Sequence, residues 1–180
     1  MLLPEIIDTP RLHLRKPVIE DASAIYENYG ADPEVTRYLT WRPHDSLKDA
    51  LSALLSRLAC WETGTDFSWT ITPQNQPGTV MGMISVTPER QSWRCSLGYV
   101  LARKYWGEGY MTETVRAVIR QLFTEPGIFR VWAIVDEENF ASARVLEKAG
   151  MTREGILHRW SLHPNVSSIP RDCWSFSAVR

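Results

Sequence analysis

Leu101-Ala102-Arg103-Lys104-Tyr105-Trp106-Gly107-Glu108-Gly109-Tyr110-Met111-Thr112 is the stretch on which the reading of this chain turns. Before it, residues 93–101 read as the third strand of a meander. After it, Met111, Val115, Val118, Ile119 and Leu122 recur at helical spacing. A strand thus hands over to a helix through a turn that carries Gly107 and Gly109. Glycine lets backbone N–H groups turn outward, and the start of a helix adds a positive dipole. Together they make an anion site, with Arg103 and Lys104 adding charge beside it. A phosphate or pyrophosphate is the expected guest. Taken alone, the turn is also compatible with a tight connection that binds nothing.

Working outward, Pro126-Gly127 stops the helix and residues 129–135 form an apolar run that reads as a buried strand. Strand, helix and strand in this order make a crossover, so the two strands should be parallel. Asn139 caps a further helix that ends at Ala149-Gly150, and residues 153–159 and 172–179 read as two last strands. Upstream, Arg11-Leu12-His13-Leu14-Arg15 alternates like a strand and Pro17 ends it. Residues 19–29 read as a short helix, 30–33 as a break, and 34–41 as ambiguous between loop and helical turn. Residues 46–61 read as a helix capped by Ser46, and its Leu47, Leu51, Leu54, Leu55, Leu58 and Trp61 stripe is expected to face a core. Residues 66–72 and 79–87 read as strands joined by a turn, with Gly82 marking a bulge. The expectation is one domain over residues 1–180, of the α/β (α+β) class, with a mixed sheet.

Bulk properties narrow the function. Of 180 residues, 44% are hydrophobic, enough for a real core. Lys+Arg number 20 against 21 Asp+Glu, a net charge of -1, which offers no excess for a phosphate backbone and disfavours nucleic acid as a partner. Cys60, Cys95 and Cys173 form neither a CxxC pair nor an even disulfide set and fit a reducing cytoplasm. His13, His44, His158 and His163 form no HExxH pattern, so no metal site is expected. No apolar run approaches the ~20 residues of a membrane span. Residues 1–9 lack the basic start and apolar core of a signal peptide.

A P-loop needs GxxxxGK[ST], which is absent, and a dinucleotide fingerprint needs a third Gly or Ala where Thr112 stands. Lys104-Tyr105-Trp106-Gly107-Glu108-Gly109 instead resembles the Q/R-x-x-G-x-G/A pyrophosphate motif of the GNAT N-acetyltransferases, with Lys in place of the first Gln or Arg. The run from Trp106 to Glu113 is similar to the branch that includes enzymes acetylating the N-termini (alanine among them) of ribosomal proteins. A second block agrees. Asn139-Phe140-Ala141-Ser142-Ala143-Arg144-Val145-Leu146-Glu147-Lys148-Ala149-Gly150-Met151 resembles the branch's N-x-x-S-x-x-x-x-E-K-x-G-F/M helix, though by itself it reads as a capped amphipathic helix. Thr9-Pro10-Arg11-Leu12, Glu154-Gly155 and Asp172 match further branch features.

The resemblance implies a mostly antiparallel sheet with one splayed parallel strand pair, flanked by helices, and acetyl-CoA as co-substrate without a metal. It implies that Leu101 and Arg103 pair with pantetheine through their backbones. The pyrophosphate would take N–H groups from Lys104, Gly107, Gly109, Tyr110 and Met111 at the turn that Thr112 completes. Asn139 would lie against the cofactor. An N–H near Leu101 would polarise the thioester, and Ser142 would donate a proton to the leaving thiolate. Tyr38, Trp41, Arg42 and Trp160 fall in segments that line the acceptor groove of similar proteins. Most of the eight tryptophans should nevertheless pack in the core or at its rim.

Where related sequences often carry a Glu base, this chain has Ser96. Glu113 or Glu154 acting through water are the remaining candidates. An α-amine of pKa about 8 is roughly one-tenth neutral at pH 7, whereas a lysine amine near 10.4 is about 3 kcal/mol harder to deprotonate. A site without a strong base therefore suits a peptide N-terminus. Three readings stay open: an N-acetyltransferase for protein α-amines, the same chemistry on a small amine (polyamine, amino acid or antibiotic), and a non-catalytic CoA-binding module. The sequence fixes neither the acceptor nor the oligomeric state and leaves a homodimer open.

Overall fold

Phe67-Ser68-Trp69-Thr70-Ile71-Thr72 alternates large apolar and hydroxyl side chains, and a strand sends alternate residues to opposite faces. In β3 (Phe67–Pro73) both sets are buried. Phe67, Trp69 and Ile71 enter the main core, where the Trp61 ring meets Phe67 and Trp69 edge-on at 5.2 and 5.1 Å. Ser68 and Thr70 point the other way, to Arg57 and Asp21. One face of the sheet is therefore oily and the other carries a buried polar layer. That asymmetry decides where chemistry can occur.

The computed structural model describes residues 3–89 and 93–180, so the first two residues of the N-terminal segment lie outside the description. Among the described residues, eight strands form one sheet in the order β1-β2-β3-β4-β5-β6-β8-β7. They are β1 (Ile6–Asp8), β2 (Leu12–Arg15), β3, β4 (Gly82–Pro88), β5 (Arg94–Leu101), β6 (Arg130–Asp136), β7 (Thr152–Ser161) and β8 (Arg171–Val179). Neighbours are antiparallel except β5 and β6, which are parallel, as the crossover requires. The mixed sheet with helices is the expected architecture.

Helices α1 (Asp21–Ile25), α2 (Pro33–Thr36), α3 (Leu47–Thr63), α4 (Tyr110–Leu122) and α5 (Phe140–Ala149) flank the sheet. The apolar stripe of α4 and the Ala143 and Leu146 pair of α5 pack into the main core. α1 and α3 build a second cluster with Val80, Met83 and Ala102. Ser46 caps α3 by accepting from the Asp49 N–H, and Gly64 ends it at φ 69°.

Several elements depart from expectation. The helix expected over residues 19–29 is shorter and runs into a π turn at Tyr26–Gly30. β1 is too short for alternation to reveal it. The leucine stripe of α3 is only partly internal: Ala50, Leu54 and Trp61 are buried, but Leu47 and Leu55 are exposed. Leu55 lies about 100° round the helix from Leu54, outside the inward arc, and Leu47 is in the first turn.

Gly82 meets a tight constraint. It pairs with Ile71 as the last pair of an unshifted β3–β4 register, and the preceding Met81 N–H also reaches the Ile71 carbonyl at 2.8 Å. A Cβ at Gly82 would fall 2.3 Å from the Val100 oxygen and 3.0 Å from Leu101 Cα. Gly82→Ala is therefore expected to cost about 1–3 kcal/mol by overpacking against backbone. A lowered urea midpoint at unchanged slope would bear this out, and an unmoved midpoint would contradict it. Ser46→Ala, read the same way, should cost about 1 kcal/mol through loss of the cap.

Candidate active site

β5 and β6 stay paired only from Arg94, Cys95 and Ser96 to Arg130, Val131 and Trp132. Beyond that point β4 holds β5 as far as Leu101, and β8 holds β6 as far as Asp136. The two strands thus part in mid-sheet. Two bonds at the ends of the β4–β5 ladder fix its parity: Glu89 N–H to the Arg94 carbonyl at 3.1 Å, and Ala102 N–H to the Met81 carbonyl at 2.8 Å. By antiparallel alternation, Val100 faces β4 while Leu97, Tyr99 and Leu101 turn their backbone groups toward the gap. Trp106 Nε1 donates to the Leu101 carbonyl at 2.7 Å. The Leu101 N–H has no such occupant among the described residues.

The chain then makes a single 3-10 turn at Arg103–Tyr105 and enters the glycine segment. Gly107 and Gly109 have φ of 84° and 78°, a region that L side chains avoid. Gly109 caps α4 with no side chain bonding the helix start, and the Glu113 N–H makes a first-turn bond to the Gly109 carbonyl at 3.0 Å. The N–H groups of Tyr110, Met111 and Thr112 therefore lack helical partners, as at any helix start. Here they face a glycine cradle, which is an anion site by construction.

Arg11, not singled out for this role in the sequence, braces that cradle. Its Nη1 donates to the Glu108 carbonyl at 3.0 Å, its Nε to Glu113 at 2.6 Å, and its guanidinium lies 4.5 Å from the centre of the Tyr110 ring. Arg103 and Lys104 direct their charges elsewhere, to Asp32 at 3.0 Å and Asn28 at 3.0 Å. These contacts tie the turn to the α1–α2 segment.

Asn139 caps α5 by accepting from the Ser142 N–H at 3.1 Å. Ser142 Oγ lies 2.7 Å from the Tyr99 hydroxyl, which also donates to the Ser142 carbonyl at 3.2 Å. A hydroxyl pair therefore spans from β5 to the first turn of α5. Burial holds the Tyr99 phenol well above its ordinary pKa, so it stays protonated at neutral pH. Tyr99 was missed as a functional residue. Its apolar neighbours Leu97 and Leu101 on the same strand face gave no signal of a polar partner.

The carboxylates suggested as bases are both engaged. Burial raises Glu113, but hydrogen bonds from Thr9 and from the side chain and backbone of Arg11, with the Arg11 charge, outweigh it and leave the carboxyl below its usual range. Glu154 is also held down, first by its hydrogen bond from Arg130 and then by Ser177. Both are weak bases as placed. Ser96 is half-buried between Thr87 and Trp132. Burial pushes the Cys95 and Cys173 thiols up to about 11, so neither is a thiolate nucleophile at neutral pH.

On the polar face a cavity of about 520 Å³ runs between α1, α3 and β5 and reaches Gly98, Tyr99 and Val100. Trp41 lines it, stacked on His44 at 4.9 Å, and burial lowers the His44 pKa. Tyr38, Arg42 and Trp160 are not among its lining residues: Tyr38 lies beneath Arg37, and Arg42 and Trp160 are exposed. Asn165 Nδ2 donates to the Thr36 and Trp41 carbonyls at 2.8 Å, fastening the β7–β8 connection to this wall. Of the tryptophans only Trp61 and Trp69 are buried. Among the described residues no three His, Cys, Asp or Glu side chains cluster as metal ligands, and no helix is long and apolar enough to cross a membrane.

Comparison with known proteins agrees with this geometry. Residues 11–152 match the family described as Acetyltransferase (GNAT) domain. A Bacillus subtilis (strain 168) protein described as uncharacterized N-acetyltransferase YoaA is 30% identical over 176 residues, covering 97% of each chain. The crystal structure of a GNAT-family acetyltransferase from Bacillus anthracis superposes with a TM-score of 0.83 at 25% identity, covering 97% of this chain and 98% of that one. RimL, a ribosomal L7/L12 alpha-N-protein acetyltransferase solved with coenzyme A, gives 0.86 over 97% and 98% of the two chains. At 19% identity that last likeness is one of fold. The chain belongs to the GNAT acetyltransferase family and is an N-acetyltransferase.

Proposed function

We propose that this chain moves the acetyl group of acetyl-CoA to the α-amine of a protein or peptide, by direct attack in a ternary complex. The observation that carries the donor half is the parting of β5 and β6 beside the Gly107–Gly109 cradle. Pantetheine amides need strand-like partners, and the gap-facing backbone of Tyr99 offers them, whereas the Leu101 carbonyl already accepts from Trp106. A pyrophosphate needs convergent N–H donors, and the start of α4 offers those of Tyr110, Met111 and Thr112. Lys104, Gly107, Gly109 and the Arg103 backbone complete this assignment, with Asn139 at the far side of the gap.

Acetyl-CoA supplies an activated thioester whose leaving thiol has a pKa of about 8.5. The Leu101 N–H, turned toward the gap, is assigned to the carbonyl oxygen as charge develops on it. The proton shed by the attacking amine passes through the Ser142 hydroxyl to the departing sulfur, so that Ser142 ends protonated as it began, and the Tyr99 hydroxyl at 2.7 Å keeps Ser142 oriented. Because a thiolate leaves readily, this proton matters less than in amide cleavage. Burial keeps the Cys95 and Cys173 thiols un-ionised, which disfavours either of them as an acetyl carrier.

The acceptor half rests on two points. Glu113 and Glu154 are both held below the usual carboxylate range, which supports an acceptor whose amine is already partly neutral. The cavity enters from the sheet face opposite α5 and is of a size for one small molecule or one or two residues of a peptide. The same volume supports a second reading, acetylation of a small amine.

Isothermal titration with acetyl-CoA should show micromolar binding; no heat at millimolar cofactor would remove the donor assignment. Ser142→Ala should lower kcat about tenfold with little change in cofactor Kd, and Tyr99→Phe should lower it less. An unchanged kcat in Ser142→Ala would take Ser142 out of the reaction. With peptide acceptors, kcat/KM should rise about tenfold per pH unit toward pH 8 and then level, since the protonated amine is inert. A flat profile below pH 7 contradicts an unassisted amine. Thiol release with no acceptor in a panel of peptides and small amines would instead favour a binding module.

A further inference from the structure

Arg57 is a cation on the inward arc of α3, three residues after buried Leu54 and four before buried Trp61. Its guanidinium is 36% exposed, and it lines the cavity on the polar face. Nη1 makes both of its hydrogen bonds, to Ser68 Oγ at 3.1 Å and Ser85 Oγ at 2.9 Å. Nε and Nη2 have no hydrogen-bond partner among the described residues. Asp66 stands 3.9 Å from Nη1, but its two oxygens already accept from Ser68 and Thr87, so the pair is not a bidentate clasp. The Arg57 charge is felt by Tyr29 and His44 across the cavity.

Ser85 is the cross-strand partner of Gly98 on β5. Such partners sit about 4.5–5.5 Å apart. Gly98 has an ordinary φ, and a Cβ there would meet nothing within 4 Å. Neither backbone strain nor crowding calls for glycine at this position. What its missing side chain leaves is an open step from Arg57 to the parted edge of β5 at Tyr99. A group bound at Arg57 would therefore lie only a few bonds from an amine presented at that edge.

Resting on the acetyltransferase reading above, we infer that Arg57 anchors the acceptor, and that the acceptor carries a carboxylate within a few bonds of the amine that is acetylated. A guanidinium with a free Nε–Nη2 edge matches the two oxygens of a carboxylate, which a lysine or a water would not. The carboxylate has two sources. One is the α-carboxylate of a free amino acid; the other is the acidic side chain of a peptide's first residue. Asp66 gives the competing expectation that the cavity prefers a cationic acceptor.

The test uses the intact enzyme with acetyl-CoA and follows thiol release on matched acceptors. These are amino acids against their amides, and peptides beginning with Asp or Glu against those beginning with Asn, Gln or Lys. The wild-type enzyme should favour the carboxylate member of at least one pair by about 10- to 100-fold in kcat/KM, carried by KM. Which pair responds identifies the source. Arg57→Gln should abolish that preference, and Arg57→Lys should restore part of it, with the acetyl-CoA Kd unchanged. Titration of the carboxylate acceptor in the presence of CoA should show the same loss in Kd. Equal turnover of both members of every pair, or preference for the Lys-initiated peptide, overturns the Arg57 assignment and leaves the acetyltransferase reading standing. No turnover of any acceptor by an enzyme that binds acetyl-CoA overturns both.

Discussion

Backbone hydrogen bonds between neighbouring strands are nearly obligatory, and a sheet that abandons them in its middle must offer its N–H and C=O groups to something else. β5 and β6 do this after Ser96 and Trp132. Each keeps its other neighbour, so neither strand is lost from the sheet. Around the resulting gap are arranged the Leu101 N–H, the glycine cradle that begins α4, and the Tyr99–Ser142 hydroxyl pair. The constraint that makes the site is thus a failure of pairing held in place by the rest of the fold. The core beneath it is built from the same strands: Cys95, Leu97 and Leu101 on β5 and Val131, Ala133 and Val135 on β6 are buried against α4 and α5. Burial on that face keeps the strands fixed where hydrogen bonds do not.

The two faces divide the labour. The apolar face holds α4 and α5, with the elements assigned to the donor. The other face carries Thr70 on Asp21, which is itself paired with Arg15, and Ser68 and Ser85 on Arg57. A buried polar layer costs stability unless its groups are satisfied. Asp21 and Asp66 are satisfied, while Arg57 keeps unused donors toward the cavity. A donor on one side and an acceptor on the other, meeting at an opening between strands, is what a ternary transfer requires.

Much of this was legible in the sequence, for definite reasons. The α4 stripe and the Gly107-Glu108-Gly109 turn are local patterns, and local patterns survive folding. So did the parallel sense of β5 and β6, which follows from crossover geometry. The Asn139 cap and Gly150 stop of α5 were equally plain. What was not legible depends on contacts between distant segments. Arg11 reaches Glu108 and Glu113 across about a hundred residues of chain. Tyr99 looked like one more aromatic in a strand until α5 brought Ser142 to it. Arg57 leaves a trace, a charge on the inward arc of a helix, but the leucines around it carry a packing signal that masks it. Of the acceptor candidates, only Trp41 lies in the cavity, because the segments bearing Tyr38, Arg42 and Trp160 turn those side chains elsewhere.

Amide-resolved exchange or chemical-shift mapping with acetyl-CoA tests the central claim most directly, because it reads the backbone groups on which the account depends. Binding should perturb and protect the amides of Tyr99, Leu101, Tyr110, Met111 and Thr112 together, while those of the outer strand β7 stay unchanged. Acetyl-CoA binding that leaves these amides unmoved, or that perturbs a different part of the sheet, would contradict the assignment of the gap between β5 and β6 as the donor site.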